Sequence, residues 1–128
     1  MKIAAMIARL LLGLIFLVFG LNGLHPFLPM PPPPPGLAGQ FMGALMASHY
    51  YVFIALVQTI GGLLLLVNRF VPLALVMLGA MIVNILCVHI FLLHGVGLPL
   101  ALLVTVLWLI VAVRNKRHLA GIFAPRTE

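Results

Sequence analysis

The sequence predicts an all-α integral membrane protein: a four-helix bundle with a Pro-rich outer loop between its first and second helices. Three observations carry that prediction. Apolar residues make up 65% of the 128 positions and charged residues only 6%, more apolar side chain than a soluble domain of this length can hide from water. Four apolar runs, residues 3–24, 50–67, 70–94 and 98–113, lie near the length of about 20 residues that a spanning helix needs. Between them stand chain breaks: the segment 25–49, Asn68-Arg69, and Gly95-Val96-Gly97. Four spans with their connections use nearly the whole chain, so residues 1–128 read as a single membrane domain ending in a tail, 114–128.

The first run has the charged start and apolar middle of a secretory signal, but no small-x-small cleavage site follows "GLNGLHPF", so it reads as a retained span. Orientation follows from the basic residues. Lys2, Arg9, Arg69, Arg114, Lys116, Arg117 and Arg126 all fall at or near one side of a four-span arrangement, and the outer loop 25–49 has none. The positive-inside rule then places both termini in the cytoplasm. A formal charge of +6 would suggest nucleic acid in a soluble protein. Here the charges sit at the ends of apolar runs with no basic helix or stacking platform between them, a pattern of topology signals near anionic headgroups.

Within the outer loop, "PPPPP" at 31–35 has no backbone donors and predicts a stiff polyproline rod of roughly 16 Å, at about 3.1 Å per residue. It serves as a spacer across the bundle or as a docking site for a partner. The following "GLAGQFMGALMA" places Leu37, Phe41 and Leu45 at helical spacing, which predicts a short interfacial helix or an early start to the second span.

Helices in lipid pack through small residues and interhelical polar bonds, so each span should carry such a stripe. The first offers Gly13, Phe16, Gly20 and Gly23; the second Tyr51, Ala55, Gln58 and Gly62; the third Ala80, Asn84, Cys87, Phe91 and His94; the fourth Ala101, Thr105, Trp108 and Ala112. At about 1.5 Å per residue, Gln58 lies about 12 Å below Tyr50 and Asn84 about 15 Å below His94. The two amides share a level, and a hydrogen bond between them is expected.

Four of the five histidines, His25, His49, His89 and His94, fall on the outer side and only His118 on the other. With Asn22, Tyr50, Tyr51, Gln58 and Asn84 they predict a polar funnel running from the outer surface toward the midplane. Intramembrane polar groups warrant a functional hypothesis. His and Tyr suit the carbonyls of a quinone, and outer histidines on different helices suit a metal ion or a b-type haem. The cofactor-binding candidates are Asn22, Tyr51, Gln58, Asn84 and His89; the metal candidates are His25, His49 and His94. The same imidazoles could equally solvate helix ends.

Other chemistry is disfavoured. No Asp or Glu precedes Glu128, which removes carboxylate acid–base catalysis and an acidic proton relay within the membrane. Cys87 is alone, so there is neither an intrachain disulfide nor a C-x-x-C pair. Neither "GQFMG" nor "GGLLLL" has the residues of a phosphate-binding loop, and Ser48, Cys87 and the histidines form no nucleophile arrangement.

Taken in order, "ARLLLGLIFLVFGLNGL", "PPPPPGLAGQFMGAL", "LVQTIGGLLLLVNRFVPLAL" and "VNILCVHIF" resemble the DoxX family of small four-span membrane proteins, over most of the chain and least in the last span and tail. The resemblance implies a four-helix membrane bundle and an association with quinone-linked oxidase or thiosulfate oxidation. Relatives commonly carry Glu where Gln58 stands, Lys where Ala55 stands, and an acid near Leu107 or Trp108; here all three positions are neutral. Asn22, Asn84 and His89 match positions typical of this branch, which implies a bonded core of Asn22, Gln58, Asn84 and His89. The resulting expectation is an accessory protein or subunit in quinone-linked membrane redox metabolism, in contact with lipid and with a redox partner or a second copy. The alternative is a non-catalytic scaffold, or a bundle that binds a small ligand or metal.

Overall fold

The computed structural model describes residues 2–29 and 32–126. Met30 and Pro31, the latter the first residue of the expected proline rod, lie outside the described residues, as does Glu128, the chain's single acid. Every regular element among the described residues is helical: α1 (Lys2–Leu24), α2 (Gly36–Ala47), α3 (Tyr50–Leu66), α4 (Val71–Cys87), α5 (Leu98–Arg114) and the short α6 (Lys116–Leu119). A π-helical turn, Val88–Leu92, extends α4, and a 3-10 turn, Ala120–Phe123, follows α6. Lys2–Leu24 and Val71–Leu92 are each long and apolar enough to cross a membrane. The pair α2 and α3 bends by 85°, and α5 with the segment 116–123 by 87°; counting each bent pair as one span brings the total to four.

Local sequence explains where these helices stop and turn. Pro35 is extended, at φ −74° and ψ 163°, and delivers the chain into α2 without an intrahelical donor of its own. His49 between α2 and α3, Asn68 and Phe70 between α3 and α4, and His94 after α4 all have positive φ, at 62°, 56°, 52° and 52°. Asn and His enter the left-handed region more readily than most residues, so two of the outer histidines act as corner residues. Pro72 and Pro99 stand at helix starts, where the missing N–H costs nothing.

The long helices pack as antiparallel neighbours in a ring, α1 against α3 and α5, and α4 against the same two. Small residues close the α1–α3 seam. A Cβ added to Gly62 would stand 2.5 Å from the backbone nitrogen of Leu17 and 2.7 Å from the carbonyl oxygen of Gly13. One added to Gly23 would meet the Ala55 Cβ at 2.9 Å. The core at the centre of the ring is aliphatic, with Leu12, Leu65, Leu75, Leu78 and Val111 fully enclosed. Among the described residues no polar side chain is buried. Large apolar residues such as Ile7, Leu14, Phe53, Ile60, Val83 and Val106 face outward, so the exterior is as oily as the interior. That is the surface a helix presents to acyl chains.

One of the four expected stripes needs correction. The third, Ala80, Asn84, Cys87, Phe91 and His94, lies on the exposed side of α4; α4 instead buries Val71, Ala74, Leu75, Leu78 and Ile82, because the ring's centre is filled by branched aliphatics rather than by small or polar groups. On α5 the buried line is Ala101, Val104, Leu107 and Val111, which leaves Thr105, Trp108 and Ala112 at its half-buried edge.

Only two side-chain hydrogen bonds join one long helix to another among the described residues. The Arg9 guanidinium donates to the Leu65 carbonyl across α1 and α3, and Trp108 Nε1 donates to the Leu75 carbonyl at 2.8 Å across α5 and α4. Both lie toward the end of the ring that carries the termini. Thr59, Asn84, His89, Thr105 and Asn115 each bond the carbonyl four residues back on their own helix, the usual intrahelical outlet for a polar group in apolar surroundings.

Candidate ligand pocket

At the loop end of the ring, α2 folds over the gap between α3 and α4 and roofs a cavity of about 750 Å³. Phe41, Met42 and Leu45 line it from α2, Tyr50, Phe53, Ile54 and Gln58 from α3, and Met81, Asn84, Ile85, Val88 and His89 from α4 and its π turn. The 85° corner at His49 makes this possible, since it lays α2 across the top instead of continuing α3. A second cavity of about 360 Å³ lies on the far side of Gln58, Ile85 and His89, against Phe16 and Phe19 of α1 and Ala101 and Val104 of α5. Gln58 and His89 therefore form part of the wall between two apolar spaces.

Gln58, Asn84 and His89, besides the Tyr50 hydroxyl, meet the larger cavity with unused hydrogen-bonding capacity. Asn84 Nδ2 donates to the Ala80 carbonyl at 2.9 Å, which leaves its carbonyl oxygen and one N–H. Gln58 makes no side-chain hydrogen bond among the described residues, so its whole amide is free. His89 Nδ1 lies 2.7 Å from the Ile85 carbonyl oxygen. A carbonyl only accepts, so Nδ1 carries the proton, and in the neutral ring Nε2 presents a lone pair. Gly97 packs on that edge of the ring: a Cβ there would fall 3.1 Å from His89 Cδ2 and 3.2 Å from Nε2. The π turn beginning at Val88 widens α4 at the point where His89 leaves it, and such turns recur at functional sites.

Of the residues singled out in the sequence, Gln58, Asn84 and His89 come together around one cavity. They do not bond one another: no hydrogen bond joins Gln58 to Asn84, because Asn84 satisfies itself on its own helix. Asn22 also stands apart from the expected bonded core. Its Oδ1 accepts from the backbone N–H groups of Phe27 at 2.9 Å and Leu28 at 2.8 Å, which fastens the chain as it leaves α1. Tyr51 turns its ring toward His49, at a centroid distance of 6.1 Å, while Tyr50 faces the cavity and meets Phe53 edge-on at 5.9 Å. One residue along a helix is a rotation of about 100°, so Tyr50, Ile54 and Gln58 share a face that Tyr51 does not. His25, His49 and His94 are exposed and line none of the cavities described here. Among the described residues no three of His, Cys, Asp and Glu are gathered where they could hold a metal ion. The α2 contribution was missed in the sequence, although Phe41, Leu45 and Ser48 at steps of four and three mark that face.

The architecture and the cavity define a class: a helical integral membrane protein with a mostly apolar pocket carrying a few convergent polar groups. The family follows from comparison, since the DoxX family model matches residues 4–90 and the chain belongs to that family. No curated protein and no solved structure matches it.

Proposed function

We propose that the ring of helices is a four-span bundle of a bacterial inner membrane with both termini in the cytoplasm, and that the larger cavity binds a quinone headgroup in an accessory subunit of membrane redox metabolism. One observation carries this reading. Gln58, with its whole amide free, and His89, its Nδ1 proton committed to Ile85, line one apolar space large enough for a substituted ring.

The residues fit such a group. A Gln58 N–H donates to a ring carbonyl, His89 Nε2 accepts from a ring hydroxyl, and Phe41, Tyr50 and Phe53 supply flat apolar surface. A bound quinone or quinol supplies two-electron, two-proton chemistry. This chain's residues orient the ring and can take a proton at Nε2. Within the helices no carboxylate stands ready to pass that proton on; in this reading the electrons are carried by a redox partner that the protein serves. Exposed His25, His49 and His94 supply no comparable support for a metal or haem site.

The test is to purify the protein in mild detergent, extract it, and measure quinone by chromatography. Retention of about one quinone per chain is expected, falling about tenfold in Gln58→Leu and in His89→Ala, the loss expected for one hydrogen bond at a ligand. Equal traces in wild type and both variants would refute the reading.

A further inference from the structure

At the opposite end of the ring, a second polar site stands on residues that the quinone reading does not use. A cavity of about 570 Å³ opens there between the start of α1 and the end of α5. Lys2 and Arg9 line it from α1, Arg114 from the last turn of α5, Asn68 from the α3–α4 turn and Asn115 from the α5–α6 corner. Three cations and two amides converge, and no carboxylate lines the cavity among the described residues.

The cations are not held in ion pairs within that wall. Arg9, half-buried, spends part of its guanidinium on the Leu65 carbonyl, which fixes the group in place; a guanidinium has five N–H donors, so others remain. Asn115 Nδ2 donates to the Val111 carbonyl at 2.9 Å and keeps its second N–H, while the Asn68 amide has no protein partner among the described residues. The positive end of the 23-residue α1 dipole lies at the same place. Donors and positive charge with no matching acceptor among the described residues make a tetrahedral oxyanion the complementary ligand.

We infer that this cavity binds a phosphate group, supplied by an anionic lipid headgroup or by free phosphate. It differs from the diffuse attraction of any basic loop for an acidic membrane, because Lys116, Arg117 and Arg126 carry equal charge nearby and line none of it.

The experiment uses the full chain in two arms: native mass spectrometry from detergent with phosphatidylglycerol or phosphatidylcholine added, and thermal unfolding with inorganic phosphate or chloride at equal ionic strength. Arg114→Gln and Lys2→Gln, both exposed positions, remove charge from the site; Arg117→Gln removes the same charge outside it. One retained phosphatidylglycerol is expected, weakened about tenfold by Arg114→Gln or Lys2→Gln and unchanged by Arg117→Gln. A phosphate-specific rise in unfolding temperature, lost in Arg114→Gln but with no lipid preference, assigns the source to free phosphate. Equal weakening by Arg117→Gln, or no preference in either arm, overturns the site.

Discussion

Along one side of α3, Gly62 lets the backbone of α1 come so near that a Cβ would stand 2.5 Å from Leu17 N. On another side, at Gln58, the same helix stands away from α4 across a cavity of about 750 Å³. The difference is one of side-chain size and polarity. Where Gly13, Gly20 and Gly62 face the neighbour, backbone meets backbone and no ligand can enter; where Phe53, Gln58, Met81 and Asn84 face it, the helices are propped apart. One helix thus provides the rigid seam and the adaptable pocket, and the seam fixes the wall on which the pocket's polar groups are mounted.

The largest effect should come from attacking the closed side. Gly62→Val is expected to lose about 3 kcal/mol or more, because the new atoms meet backbone that cannot rotate away. Unfolding in detergent that stayed within about 0.5 kcal/mol of wild type would mean that the seam is not close-packed. Next comes Trp108→Phe, which removes the bond to the Leu75 carbonyl and should cost about 1 to 2 kcal/mol by the same measurement.

On the open side, Gln58→Leu and Asn84→Leu should each change stability by less than about 1 kcal/mol. Their effects should add to within about 0.5 kcal/mol in the double variant, since the two amides touch the same space without bonding. A larger coupling energy would restore the direct bond expected from sequence. Smallest of all is Gly43→Ala on α2, where an added Cβ meets nothing within 4 Å. Helix propensity alone predicts a gain of up to about 1 kcal/mol there, and a clear loss would show that α2 is packed against something.

The helices were legible because apolar run length is a coarse signal that tertiary context does not alter. The runs 3–24 and 98–113 differ from α1 and α5 by one residue at an end. On α1 the glycine stripe was also legible, since Gly13, Phe16 and Gly20 are all buried. The α4 stripe failed for a physical reason. The small and polar residues chosen on α4 lie away from its packed face, because α4 meets Leu12, Leu65 and Val111 at an aliphatic centre.

Within the site, depth arithmetic brought Gln58 and Asn84 to one level, but spacing along a helix says nothing about which acceptor an amide chooses. In apolar surroundings the carbonyl four residues back is always at hand, and Asn84 and His89 both take it. The roles of Asn22 and His49 were hidden because each depends on a chain reversal: Asn22 accepts from two N–H groups beyond its helix, and His49 adopts φ 62° at a corner. Nothing in a hydropathy pattern encodes a corner of 85°.

The placement of the two cross-helix polar ties, Arg9 to Leu65 and Trp108 to Leu75, has a dynamic consequence. Both act as a clasp at the terminal half, and around the larger cavity the helices are held by dispersion contacts alone. A molecule dissolved in the acyl layer can therefore part α3 from α4 and slip in sideways without breaking an interhelical hydrogen bond. Amide hydrogen exchange should be faster at residues 84–98 than at 71–80, and uptake should be governed by lateral diffusion in the bilayer rather than by unlatching of the protein.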